Sequence, residues 1–143
     1  MNDDARLQAL ARRIFAAQPF TQMLGATLES AAPGATRIHL PLRADLLQQH
    51  GFAHGGVLAY LADNAITFAG GMALGGDALT SEFKINYLRP AQGEALVATA
   101  NALAAGRRQA VCRCEIHALR DGTRVLCAVA QGTVLPAAPT ERG

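Results

Sequence analysis

The chain has little of what marks the specialised protein classes. Aromatic residues are 5% of its 143 residues and charged residues 17%, and no Lys/Arg block interleaves with aromatics. With a net charge of only +2, this excludes the basic, ring-rich surface typical of nucleic-acid binding. The cysteines number three; an odd count without a secretory signal argues for a reducing compartment. The opening MNDDARLQALARRIFAAQ carries acids where a signal peptide carries bases, and it lacks a long apolar core. No uninterrupted apolar run approaches the ~20 residues of a membrane span. The expected setting is therefore cytoplasmic, with neither a membrane nor a nucleic-acid partner.

What is present is a chain that is 50% hydrophobic and long enough for one domain with a real core. Residues Asp4 to Ala17 predict a helix, with Leu7, Leu10, Ala11, Ile14 and Phe15 at helical spacing. Pro19 stops it, so residues 1–18 form an N-terminal helical segment. From Thr27 the period changes. In ATRIHLPL, Thr36, Ile38, Leu40 and Leu42 alternate with Arg37, His39 and Pro41, as in a half-buried strand. A polar loop, Arg43 to Ala53, leads into HGGVLAYLADNAITFAGG, His54 to Gly71. Its apolar residues, from Val57 to Phe68, surround the segment instead of forming a stripe, which predicts a central, wrapped helix. Gly70, Gly71, Gly75 and Gly76 are then expected to break the chain.

The remainder predicts strands. Leu79, Ser81, Phe83, Ile85 and Tyr87 alternate with Thr80, Glu82, Lys84 and Asn86 until Arg89-Pro90. Ala95 to Ala104, Gln109 to Arg120 and Arg124 to Leu135 follow, turned at Ala105-Gly106-Arg107 and at Asp121-Gly122, the latter a strong hairpin signal. The tail, 136–143, is expected to fray. Residues 1–143 thus read as a single α+β domain, an antiparallel sheet wrapped around one long helix.

One carboxylate, Asp63, interrupts the apolar helix, and burying it requires a partner or a task. His54-Gly55-Gly56 lies where that helix begins, and a first turn offers unpaired N–H groups at the positive end of the dipole. Glycine leaves those donors open to an oxyanion such as that formed when water attacks a thioester carbonyl. Asp63 is eight residues beyond Gly55, roughly 12 Å along one helix axis. A base and an oxyanion donor must both reach the same carbon, so one subunit does not easily supply both. Two antiparallel helices across a two-fold axis do. Two plainer readings stay open: the glycines serve only a tight turn, and Asp63 is a structural carboxylate bonded within an interface, for example to Asn64.

The order of helix, strand, loop, HGG…LAD…A, then TSEFKINYLRPA and three long strands resembles the hotdog-fold acyl-CoA thioesterases, closest to the phenylacetate-pathway (PaaI-like) branch. The resemblance covers Phe20 to Leu135. It rests on the spacing from His54-Gly55-Gly56 to Asp63, supported by N-Y-x-x-P-A at Asn86 to Ala91. It implies that Asp63 is the catalytic carboxylate, a general base on water or a direct nucleophile. It implies that the Gly55 N–H polarises the thioester carbonyl, that His54 shapes the turn and assists there, and that Thr80 positions water. Gln48 falls where relatives often have Asn, keeping the amide on a longer arm. Arg89, Arg107 and Arg108, at strand ends or turns, are the candidates for the coenzyme A phosphates; Asn64 and Gly56 join them as substrate contacts. Leu46, Phe52, Leu58, Tyr60, Leu61 and Phe68 are expected around the acyl group.

The implied substrate is acyl-CoA, with coenzyme A part of the substrate and no separate cofactor, and the implied assembly is a homodimer or a dimer of dimers. A hotdog dehydratase or hydratase, and a non-catalytic acyl-CoA binding protein, are the alternatives on the same fold. No metal is expected: Cys112 and Cys114 share a strand face with Ile116 as core residues, and His117 points to the other face. No histidine is placed to activate a cysteine. His39, His50 and His117 read as surface residues.

Overall fold

In a computed structural model, which describes residues 2–137, helix α1 (Asp3–Ala17) starts at a cap the sequence supplies. The Asn2 side chain accepts the Ala5 N–H at 2.8 Å, and Asp3 and Asp4 lie in the first turn, at the positive end of the helix dipole. Gln18 is extended, as the residue before proline tends to be. Pro19 does more than stop α1. It opens a second short helix, α2 (Pro19–Leu24), in the first turn, where its missing N–H is not needed.

Strands β1 (Thr27–Ala32) and β2 (Ala35–Pro41) form an antiparallel hairpin. β1 was not legible as a strand because a bulge between Leu28 and Ser30 breaks its alternation, leaving Leu28 and Ala31 as its buried residues. β2 alternates as expected, with Thr36, Ile38 and Leu40 buried.

Helix α3 runs Gly55–Leu74. Gly70 and Gly71 do not break it, contrary to expectation; it ends at Gly75, whose φ of 87° is the left-handed cap. A Cβ on Gly70 would lie 2.9 Å from the Cβ of Val134, so the glycine lets the helix lie close on the sheet. The Thr36 hydroxyl donates to the Ala65 carbonyl at 2.8 Å in the interior, tying β2 to the helix. By length and mean hydropathy (1.3) α3 could cross a membrane, but 67% of that stretch is buried in the fold. It is the core helix.

Strands β3 (Ala78–Tyr87), β4 (Ala95–Ala105), β5 (Ala110–Arg120) and β6 (Thr123–Pro136) complete a six-stranded antiparallel sheet of order β1-β2-β4-β5-β6-β3. The β5–β6 turn uses Asp121 (φ 50°) and Gly122 (φ 77°), the positive pair of a type I′ hairpin. Ile38, Leu40, Leu96, Ile116 and Val134 from the sheet enclose Leu61 and Ile66 of the helix, all fully buried. This is the hotdog architecture, a sheet curled around one helix. Of the expected frayed tail, Pro136 closes β6, and 138–143 lie outside the described residues.

The register of β3 shifts between Thr80 and Glu82. Simple alternation puts Leu79 and Phe83 on one face, but the bulge reverses the strand before Ser81. Leu79 is therefore 66% exposed, and Thr80 turns toward α3.

Candidate active site

Two clusters form along α3, at opposite ends of β3. The first is at the helix N-terminus. His54 is the N-cap, and its Nδ1 accepts the Gly56 N–H at 2.8 Å. With Nδ1 engaged as the acceptor of this cap, Nε2 is the ring nitrogen left to donate. A Cβ on Gly56 would lie 3.0 Å from that Nδ1; glycine leaves room for the cap. The Tyr87 hydroxyl donates to the Gly55 carbonyl at 2.7 Å. The peptide between Gly55 and Gly56 is thus held at its oxygen by Tyr87 and at its N–H by His54. The N–H of Gly55 itself has no hydrogen-bond partner among the described residues, and it stands at the positive end of a 20-residue helix.

A groove of 360 Å³ opens beside it, lined by Gln48, Phe52, Leu58, Tyr87 and Arg89 among others. Gln48 accepts the His50 N–H on Oε1 at 2.5 Å, which orients its amide. Arg89 donates to the Leu126 carbonyl at 2.8 Å at the groove edge.

The second cluster surrounds Asp63, which is half-buried. Its Oδ1 accepts from the Thr80 hydroxyl at 2.5 Å. The Thr67 hydroxyl donates to the Asp63 carbonyl at 2.7 Å and touches the Thr80 hydroxyl. Oδ2 has no hydrogen-bond partner among the described residues. One oxygen is fixed by Thr80 while the other stays free to take a proton or attack a carbon.

Several expected neighbours go elsewhere. Asn64 does not reach Asp63 or the groove; it is buried and donates to Gln18 Oε1 at 3.0 Å and to the Tyr60 hydroxyl at 3.1 Å. It faces inward because it is one residue, about 100° of helix turn, from Asp63. Of the six apolar residues expected around the acyl group, Phe52 and Leu58 line the groove. Leu46 and Leu61 are core, and Tyr60 packs edge-on against Phe20. Phe68 lines a different pocket, under α1. Arg107 and Arg108 sit at the β4–β5 turn. That turn is on the Thr80 side of the sheet, since Ala110 pairs Val134 and Val134 pairs Thr80. In one chain they are therefore remote from Arg89.

Burial raises the thiol pKa of Cys112 to about 11 and that of Cys114 to about 12, and it raises Cys127 as well. These thiols stay protonated and unreactive in the core. His117 is less of a surface residue than its sequence suggests, because its Nδ1 is enclosed, with no partner among the described residues.

Thr67 and Tyr87 were not singled out from sequence. Thr67 had a signal, four residues after Asp63 on the same helix face. Tyr87 lies within the N-Y-x-x-P-A string, but only the fold brings it to Gly55.

Comparisons with known proteins bear on the family and the fold. Residues 50–125 match the thioesterase superfamily. Human acyl-coenzyme A thioesterase 13 is 33% identical over 108 residues, 71% of this chain and 74% of that protein. A variant of the phenylacetic acid degradation protein PaaI from Thermus thermophilus is 34% identical, with a TM-score of 0.72 over 84% of this chain and 100% of that one. The PaaI protein of Escherichia coli, 24% identical, shares the fold with a TM-score of 0.84 over 97% and 99% of the two chains. With the HGG turn and the Asp63 cluster on one wrapped helix, and more than half of the sequence matched, the chain belongs to the thioesterase superfamily and is a thioester hydrolase of the hotdog fold.

Proposed function

We propose that this chain hydrolyses acyl-CoA to the free acid and coenzyme A in a site shared by two subunits. The observation that carries this reading is the position of the two clusters along β3: Tyr87 and Gly55 meet at one end, Asp63 and Thr80 at the other. β3 is also a sheet edge ten residues long, unpaired among the described residues, a surface that proteins pair or cover. Antiparallel pairing of β3 with a second copy sets the Asp63–Thr80 end of one chain beside the Gly55–Tyr87 end of the other. The same two-fold axis puts Arg107 and Arg108 of one chain at the sheet end that holds the other's Arg89. All three are then the candidates for the coenzyme A phosphates of one site.

The chemistry follows. The free Gly55 N–H of one subunit polarises the thioester carbonyl, with the His54 Nε2–H beside it. Asp63 of the other activates water held near Thr80, or attacks directly. Water adds to the carbonyl carbon, the C–S bond breaks, and the sulfur leaves as coenzyme A thiol with a returned proton. Gln48, on the groove wall, contacts the substrate arm. The reaction needs no cofactor beyond the substrate's own coenzyme A, and the odd number of cysteines favours a cytoplasmic setting. Released thiol on incubation with acyl-CoA tests the activity, and Asp63→Asn tests the assignment. The variant should stay folded and lose at least about a hundredfold in turnover, the scale of a general base. Near-normal turnover would exclude Asp63 as the catalytic carboxylate.

A further inference from the structure

We infer that the hydrocarbon tail of the substrate is held in the pocket between α1 and the C-terminal half of α3, in the chain that supplies Asp63. This rests on the acyl-CoA reading above and names the acyl class. The pocket has a volume of 220 Å³, and its apolar wall includes Leu7, Leu10 and Ile14 of α1 with Phe68 and Met72 of α3. Thr67 connects it to the chemistry: it lines this pocket and also donates to the Asp63 carbonyl while touching Thr80. Thr67, a residue of the pocket wall, thus stands one helical turn, about 5.4 Å, from the carboxylate residue.

The two cavities divide the substrate by polarity. The groove at Gly55 carries Gln48 and Arg89, so it suits the polar, anionic coenzyme arm. Among the described residues, the lining of the pocket under α1 has no Lys or Arg and one carboxylate, Asp77. It suits an uncharged tail and disfavours a carboxylated one. A substrate running from the partner's groove to this pocket passes its thioester carbonyl between Gly55 and Asp63. A dry apolar cavity of ~150 Å³ holds benzene, and at ~30 Å³ per water-sized group 220 Å³ takes about seven such groups. That is the tail of an octanoyl group or of an arylacetyl group of similar bulk.

The test is kcat/KM for thiol release across straight-chain acyl-CoAs from butyryl to dodecanoyl, with glutaryl-CoA as the charged tail. In the wild type it should rise about fourfold per added methylene as each is buried, up to roughly octanoyl. It should then stop rising, and glutaryl-CoA should be poor. Ile14→Trp, which fills the pocket, should cut octanoyl-CoA turnover at least about tenfold and butyryl-CoA turnover by much less, so that the preference for the longer tail is lost. Ile14→Ala should move the optimum to longer chains. Melting temperature and oligomer size identify a misfolded variant, and should Ile14→Trp fail there, Ile14→Ala and Leu7→Ala decide. Folded variants with an unchanged chain-length profile overturn the pocket assignment and leave the hydrolase reading standing. Absence of thiol release by the wild type from every acyl-CoA overturns the function itself, and the pocket assignment with it.

Discussion

The two ends of β3 build their halves of the site by opposite means. At the Tyr87 end the proposed working group is a main-chain N–H, bare because Gly55 has no side chain and because His54 and Tyr87 clamp the next peptide. At the Thr80 end the proposed working group is a side chain, Asp63, with one oxygen fixed and one free among the described residues. The first half is made by backbone geometry and helix position, the second by residue identity. This teaches which substitutions each half tolerates. A side-chain change deletes Asp63 directly, whereas the Gly55 donor is lost only by removing the N–H or turning the peptide.

The comparison breaks hardest at the Asp63 end, where Asn is expected to abolish most turnover as stated above. The sharper test lies at the other end. Gly55→Pro removes the N–H yet suits the first helical position, and His54, with φ −59° and ψ 136°, already has the extended backbone favoured before proline. The variant should fold, and kcat should fall about a hundred- to a thousandfold, the loss of one oxyanion donor. Wild-type turnover in a folded Gly55→Pro enzyme would show that this N–H is not used.

Mixing the two dead variants asks whether the halves belong to different subunits. After random re-association of Asp63→Asn with Gly55→Pro chains, half of the dimers are mixed. Each mixed dimer has one intact site, so about a quarter of wild-type activity should return. No recovery after demonstrated subunit exchange would place both halves in one chain.

Tyr87→Phe is a gentler change. It removes one hydrogen bond to the Gly55 carbonyl and leaves the ring, so kcat should drop up to about tenfold, on the scale of a single hydrogen bond. KM should move little, since the donor's orientation matters most as the oxyanion develops.

The smallest effect lies away from both ends. His117 has its pKa lowered from the ordinary 6.5, first by burial, then by Arg124 and Arg37 against the opposing pull of Glu115. A histidine whose folded pKa is depressed favours the fold while neutral. Its contribution is complete above pH 6.5 and lost as pH falls from there through the folded pKa. His117→Gln should flatten the decline of melting temperature with acid in that window while leaving turnover at neutral pH unchanged. An unaltered slope would remove His117 as its cause.

Much of the fold was legible because its strongest signals are periodic. α3 lacks an apolar stripe and is wrapped, and β2 alternates and is half-buried, as their sequences imply. The failures in the strands share a cause: the β1 and β3 bulges insert one residue, which reverses the face of everything beyond it, and no periodicity marks the place. Gly70 and Gly71 look like a break, since a glycine pair weakens a helix, but close packing on Val134 outweighs that cost. Asn64 shows the same limit at the site, because a polar residue beside a catalytic candidate was claimed by Gln18 and Tyr60.

By itself, the sequence determined the central helix, the hairpin turns, the lone carboxylate and the glycine-flanked helix start, since each is a local property of residue type and spacing. Only the tertiary structure decided that Thr80 and Thr67 hold Asp63, that Tyr87 clamps Gly55 and that Asn64 turns inward. Those contacts join residues up to 46 positions apart, and their partners are chosen by strand register and helix rotation, which no single segment encodes.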